Sequence, residues 1–412
     1  MRLTEYRDLR GGQPCWTLAD PDPGSSDPLP SQPLDVAIVG AGIMGAMLAE
    51  RLTRSGRRVA LFDRRPPAHG STAASTALVL WAADVPLTHL AREIGEDEAA
   101  RRWRRVFRAA ASLARRIDAD GQGRSRTERP ELYLAGSLLD EDGLREEAAM
   151  RDRAGLPSRF ISAGEVGRRF GIAPRAALLS EASYCVDPVR LTLGLLDRAR
   201  GRGATLHFPV DVTALEQSAG GVRLAVEGTP GIEAGTVILA SGYERPLWHL
   251  PSAFSVLSSY AIATPPGSTP LWREHAIIWE AASSYLYARE TADGRVVAGG
   301  EDEDLTDGDA RDALIGEKAG AIRAKLEALL GGRAVDLDCA WAATFGSSPD
   351  GLPAIGPAAN APNVWLASGF GGNGVTFAAL GAEIIGCALD GTPDPDAECF
   401  DPYRFEAETK PA

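Results

Sequence analysis

The sequence predicts an α/β chain, α+β overall, in which a parallel, doubly wound part is joined to an antiparallel-sheet part. Three observations predict it. A β-branched strand runs into Gly40-x-Gly42-x-x-Gly45 and a helix. A second strand ends at an acid, Asp63. Residues 251–339 then hold a run of strand-like segments with a hairpin turn and one helix, which is a different class of pattern.

The first element is residues 36–39, Val-Ala-Ile-Val, long enough for one buried parallel strand. Gly40 permits a tight turn, Gly42 lets a pyrophosphate approach the backbone, and Gly45 lets the helix pack close on the strand. Residues 43–55 read as that helix, with Ile43 and Met44 opening it, Met47, Leu48 and Leu52 on the face of Met44, and Gly56 as its stop. Its N-terminus offers free N–H groups and roughly half a positive charge, which suits a diphosphate. Residues 58–62 form the second strand, and Asp63 follows Gly45 by eighteen residues, where an acid can accept ribose hydroxyls. Strand, glycines, helix, strand and acid in this order specify a dinucleotide, and leave NAD and FAD both open.

Composition bounds the reading. A chain of 412 residues suits two or three domains. The net charge of −13 argues against nucleic acid or an anionic membrane as partner. Five scattered cysteines and five separated histidines form neither a disulfide framework nor a metal site. No apolar run is long enough to span a membrane and no signal-peptide core stands at the N-terminus, so the expected compartment is the cytoplasm.

The remaining elements follow in order. Residues 1–33 read as a polar extension, with Pro, Gly, Ser and Asp concentrated from 20 to 33 and Trp16 as its anchor. The small and hydroxyl residues 70–77 let backbone lie close to a flat or phosphorylated ligand. Residues 86–118 read as one helix whose cluster Arg101, Arg102, Arg104 and Arg105 is a solvated face. A strand at 132–134, helices at 140–155 and 189–200, and strands at 205–208 and 210–215 come next. Residues 236–242 are an apolar strand ending in Ser241 and Gly242, as a strand does at a nucleotide. Strands at 257–264, 276–279, 284–288 and 295–299 follow, with Asp293-Gly294 as a hairpin turn, and then a helix at 307–330. A strand at 364–368 leads through a second glycine-rich turn, 369–374, into a helix at 375–389.

This combination resembles the FAD-dependent superfamily of D-amino-acid oxidase, glycine oxidase and sarcosine oxidase, from about Leu34 to Phe405. The resemblance is carried by residues 38–45 with Asp63, by Gly70-Ser71-Thr72, Val186-Asp187-Pro188 and residues 237–242. Residues 285–289, 294–300, 350–356 and 369–376 complete it in family order. It implies FAD rather than NAD. It also implies a Rossmann-like FAD-binding domain assembled from 34–90, 150–250 and 340–405, and an antiparallel-sheet substrate domain from 91–149 and 251–339. The implied cofactor contacts are Gly40, Gly42, Ile43, Met44, Gly45, Asp63 and Arg64, then Ser71, Thr72 and Ala73. Val212 offers the adenine a backbone contact, and Ser241 and Gly242 follow. Gly371, Gly372, Asn373, Gly374, Val375 and Thr376 bring a helix N-terminus to the flavin N1–C2=O region, where reduction places negative charge.

Departures from the family pattern sharpen the expectation. The tethering histidine and cysteine of some members fall at Thr72 or Ala73 and near Ala343, and Cys339 is out of place, so FAD should be non-covalent. The sarcosine oxidase substrate cations fall near Leu80 and Thr376, and its oxygen-activating lysine near Val297. The resemblance therefore implies oxidation of a C–H bond next to nitrogen, in an amino acid or secondary amine, by hydride transfer to flavin N5, with the electron acceptor open. A flavin-dependent 2-hydroxy-acid dehydrogenase, which needs a histidine-like base, and a non-catalytic FAD-binding module are the alternatives. The second glycine turn argues against the module. Tyr285, Tyr287 and Arg289 alternate along one strand and share a face, which makes Arg289 the candidate carboxylate anchor. The competing readings place that face toward solvent, or pair Arg289 with Glu290 or Glu301.

Overall fold

The computed structural model describes residues 2–17, 22, 24–119 and 126–406. Part of the polar stretch at 20–33 therefore lies outside the described residues. Two sheets organise the rest. The first runs in the order Ala354–Pro357, Val364–Ser368, Ile232–Leu239, Leu34–Val39, Val59–Phe62, Thr205–His207. Its central pairs are parallel and its first pair is antiparallel. A meander, Val212–Ser218 with Gly221–Val226, adds to Ile232–Leu239. Ala37 and Ile38 are fully buried because both faces of the sheet are covered. Helices Ile43–Arg54, Pro188–Gly201 and Gly374–Leu389 pack together on one face, and the meander's apolar side contributes to the other core.

The second sheet is antiparallel in all but one of its pairings. Its order is Arg10–Gly12, Cys339–Ser347, Ser255–Ala263, Val296–Glu303, Leu286–Glu290, Ile277–Glu280, Arg126–Leu134, Ala177–Val186, Leu78–Val79. The exception is Ile277–Glu280, which runs parallel to Arg126–Leu134. Ser158–Ile161 pairs with Ala177–Val186. Helix Ile315–Leu329 buries Ile322 and Leu326 against this sheet.

Sheet membership cuts across the segment boundaries read from the sequence. Ser158–Ile161 and Ala177–Val186, assigned to the nucleotide part, lie in the antiparallel sheet, as does Cys339–Ser347. The expected helix at 86–118 is two helices, Leu87–Ile94 and Glu96–Ala119, broken at Gly95, whose φ of 87° a helix cannot continue through. The longer one buries Trp103, Val106 and Leu113 in the core of the parallel sheet's helices, although the sequence reading gave it to the substrate part. Of the four arginines read as a solvated face, Arg104 is exposed and the other three are not such a face. Arg101 binds Asp396, Arg102 binds Asp350, and the buried Arg105 binds Glu383 and Asp394. They fasten this helix to the C-terminal segments, which a helical pattern alone cannot show. The loop expected at 70–77 contains a one-turn helix, Ser71–Ala74, and the helix expected at 307–330 is split into Gly308–Ala313 and Ile315–Leu329.

Candidate active site

A cavity of about 500 Å³ lies where the two sheets meet, and both line it. At one end the first glycine turn closes on it. Gly40 has a φ of 116°, and a Cβ there would overlap the Ala240 carbonyl oxygen. A Cβ at Gly45 would overlap the carbonyl of Gly40, so helix Ile43–Arg54 leaves the strand with no space to spare. Gly42 caps that helix without a side chain, and the Thr72 hydroxyl accepts the Ile43 N–H at 3.0 Å. Asp63 accepts the N–H groups of Ala41 at 2.8 Å and Arg65 at 2.9 Å. Burial pushes its carboxyl up, against those two amides and the Arg65 charge, which act the other way. Arg65 forks onto Glu244 at 2.9 and 2.8 Å. Arg64 pairs with Asp211 at 3.2 Å and lies over the Tyr6 ring. Val212, Ser241 and Gly242 complete this end.

At the other end the second glycine turn delivers helix Gly374–Leu389. Asn373 stands at its N-cap, yet its side-chain amide donates to the Ala82 carbonyl and leaves the helix uncapped. The Gly372 N–H donates to Asp84 Oδ2 at 2.6 Å. Asp84 lines the cavity and is exposed to it. The protein around it still desolvates the carboxyl and pushes it up to about 6; the Gly372 amide opposes the rise, and the Asp302 charge adds to it. Tyr285 donates its hydroxyl to Asp302 Oδ2 at 2.7 Å, and its ring lies 6.0 Å from that of Tyr287. Burial raises the Asp302 carboxyl, and raises Tyr285 and Tyr287 as well. Tyr133 stacks on Trp279 at 3.9 Å, and the Trp279 indole donates to Glu131 at 2.9 Å.

The structure brings most of the expected residues to this one cavity. Gly40, Gly42, Ile43, Met44, Asp63, Arg64, Ser71, Thr72 and Val212 line it. So do Ser241, Gly242, Gly372, Asn373, Gly374, Val375, Tyr285 and Tyr287. Gly45, Ala73, Gly371 and Thr376 stand behind the lining. Thr376, for example, donates its hydroxyl to the Leu80 carbonyl at 2.7 Å. Arg289 does not reach the cavity. Its guanidinium donates to the carbonyls of Thr76, Glu290 and Val186 at 2.6, 3.3 and 2.9 Å and lies over Trp16, itself tied to the Ser75 carbonyl. Arg289 shares the strand face of the two tyrosines, but a buried knot with the N-terminal extension consumes it. The carboxylate-anchor reading is thereby corrected.

Four residues that line the cavity were absent from the sequence expectation: Arg65, Glu244, Asp84 and Asp302. Asp302 carried a legible signal. In the strand Val296–Glu303 it alternates with Glu301 and Glu303, which bind Lys325 and Lys318 away from the cavity, so Asp302 points inward. Asp84 carried none, because only the fold places it against Gly372.

Two helix N-termini without side-chain caps, opening on one cavity beside an acid-ended strand, fit the fold of a dinucleotide-binding enzyme. Residues 35–387 match the family model described as DAO, FAD dependent oxidoreductase, and the chain belongs to that family. Its cofactor is accordingly FAD. The tRNA 5-methylaminomethyl-2-thiouridine biosynthesis bifunctional protein MnmC of Polaromonas naphthalenivorans is 26% identical over 413 residues, covering 93% of this chain and 60% of that protein. The chain thus spans only about 60% of the length of such a relative. L-proline dehydrogenase from P. horikoshii superposes with a TM-score of 0.76 at 19% identity, covering 92% of this chain and 99% of that one. Glycine oxidase from Geobacillus kaustophilus gives 0.71 at 19% identity, covering 91% and 98%. At these identities the two structures share the fold. Among the described residues no helix is long and apolar enough to cross a membrane, and no three metal-binding side chains gather.

Proposed function

We propose that this FAD-dependent oxidoreductase oxidises a C–H bond next to nitrogen in a small amine or amino acid. The observation that carries the reading is the flavin end of the cavity, which holds tyrosines and carboxyls and neither an imidazole nor a cation among its lining residues. A 2-hydroxy-acid dehydrogenase needs a base to take the hydroxyl proton and a cation for the carboxylate. His69, the histidine in the lining, lies at the nucleotide end beside Arg10, and burial lowers its affinity for a proton. An amine carries its own lone pair and needs no base at the carbon.

FAD, when bound, supplies the two-electron acceptor. This chain's residues supply place and field. Amides at the start of helix Ile43–Arg54 would hold the diphosphate, and Asp63, whose oxygens keep lone pairs beyond the loop amides, would accept the ribose hydroxyls. Val212 would meet the adenine. The uncapped start of helix Gly374–Leu389 would face the part of the ring that gains negative charge. Tyr285 and Tyr287 would line the substrate end. Thr72, Ala73 and Ala343 offer neither the imidazole nor the thiol of a flavin tether, so the attachment is non-covalent, and acid precipitation should leave the flavin in the supernatant.

Anaerobic mixing of the holoprotein with amines, amino acids and 2-hydroxy acids tests the reading. Bleaching of the flavin by nitrogen compounds is expected. Bleaching by hydroxy acids alone, or by none of the three, overturns it.

A further inference from the structure

The charges along the cavity are unevenly distributed. Arg64 and Arg65 belong to the nucleotide end, where Asp211 and Glu244 hold them. At the substrate end three carboxyls line the wall: Glu280, Asp84 and Asp302. Glu280 is spent, because Arg175 binds one oxygen and the Leu286 N–H the other. Asp84 has one amide partner. Asp302 receives the Tyr285 hydroxyl on Oδ2, while its buried Oδ1 has no hydrogen-bond partner, with the Ser259 side chain nearby. The nearest cation behind Asp302, Lys318, is taken by Glu303 and lies over the Tyr260 ring. Arg289, the cation best placed by sequence to serve this end, is locked in its knot with Thr76, Glu290 and Val186.

A desolvated carboxylate without a close counter-charge is costly. Asp302 Oδ1 is buried, Asp84 is exposed to the cavity, and the Asp302 charge acts on Asp84 across it. A second carboxylate brought in by a substrate would raise that cost, with no guanidinium or ammonium among the described residues lining this end to receive it. A positively charged nitrogen would lower it. The tyrosine pair adds two ring faces, whose quadrupoles attract a cation as well. We infer that the substrate end of this cavity selects a cationic amine without a carboxylate, held between Asp84 and Asp302 against the rings of Tyr285 and Tyr287. This inference rests on the amine reading of the site and narrows it: the substrate class is an alkyl or cyclic ammonium, not a zwitterionic amino acid. The carboxyl that faces the ammonium also stands where it can take the nitrogen's proton, which frees the lone pair that oxidation requires.

Three ligands built on five-membered nitrogen rings separate the charges. Pyrrolidine is the cation alone, L-proline the zwitterion, and pyrrole-2-carboxylate the anion alone. Their binding to the oxidised holoprotein is read anaerobically by calorimetry and by perturbation of the flavin spectrum. Pyrrolidine should bind at least tenfold more tightly than L-proline, and pyrrole-2-carboxylate most weakly. Asp302→Asn should weaken pyrrolidine at least tenfold and leave L-proline no weaker. Asp84→Asn, which keeps an acceptor for the Gly372 amide, should do the same. Preference for either carboxylate-bearing ligand, equal affinity for all three, or indifference of pyrrolidine to both variants overturns the inference. Flavin bleaching is scored separately. If L-proline binds best and amines still reduce the flavin, the substrate class falls and the amine chemistry stands.

Discussion

At the nucleotide end of the cavity, backbone does most of the holding. Its turns are contiguous in sequence, its glycines leave no room for Cβ atoms, and its charged side chains are paired with one another. At the substrate end, side chains do the holding. Asp84, Tyr133, Trp279, Tyr285 and Asp302 come from segments that meet only in the folded antiparallel sheet and beside the second glycine turn. The form of the first end is fixed by spacing along the chain, and that of the second by tertiary placement. On the proposed reading the first would hold the FAD common to the family and the second the substrate particular to this chain.

The largest expected effect tests the backbone end. Gly40→Ala forces a side chain into the left-handed region and onto the Ala240 carbonyl, costing more than about 3 kcal/mol. The purified variant should carry almost no flavin absorbance relative to protein, with its far-ultraviolet circular dichroism retained. A normally loaded variant would show that the turn is not as tight as its contacts imply.

Asp63→Ala comes next. It removes charge-assisted hydrogen bonds worth roughly 1.5–3 kcal/mol, about one to two orders of magnitude in FAD affinity. Fluorescence titration of the FAD-free protein measures it. An unchanged dissociation constant would leave Asp63 with its structural role alone, binding Ala41 and Arg65.

Arg289→Met separates support from recognition. The variant leaves three buried carbonyls without their donor and should lower unfolding free energy by about 2 kcal/mol. Thermal or urea melts read that loss. The concentration of amine giving half-maximal flavin reduction should stay within about twofold of wild type, a shift of under half a kcal/mol. A tenfold rise would return Arg289 to the substrate site.

The smallest effect concerns pH. In the FAD-free protein the Asp84 carboxyl is raised from 3.8 to about 6. Its unfolded form ionises first, so Asp84 costs the folded state stability as pH rises through that window and nothing below it. Asp84→Asn removes this term. Melting temperatures of the two proteins should diverge in favour of the variant from about pH 4 to pH 6 and run parallel above. Divergence on the acid side instead would mean that Asp84 is stabilised as a carboxylate.

The place of the glycine turns, Asp63 and Ser241 beside one cavity was legible in sequence because each is a local pattern with a local cause, whereas Val212 came only from the family resemblance. Asp302 was half legible, through strand alternation. Asp84 and the fate of Arg289 were not, because a strand's period says which face a side chain takes and not what stands opposite. Sheet membership was hidden for a similar reason. Ala177–Val186 looks like any apolar strand until its partners are known, and helix Glu96–Ala119 declares its apolar face but not the helix that covers it.

The short strand Arg10–Gly12 has a consequence beyond the active site. It pairs with Ala343, Ala342 and Trp341 in the middle of Cys339–Ser347, and the Gln13 N–H and Leu9 carbonyl extend the pairing on either side. Without it, Cys339–Ser347, paired on its other side with Ser255–Ala263, would be the margin of the antiparallel sheet, with the outward-facing amides and carbonyls of its middle unpaired. Such a margin is a template for another chain's strand. The N-terminal extension therefore works as a selvedge. It finishes the sheet from within, so that molecules crowded together meet a sealed border where they would otherwise zip into one another.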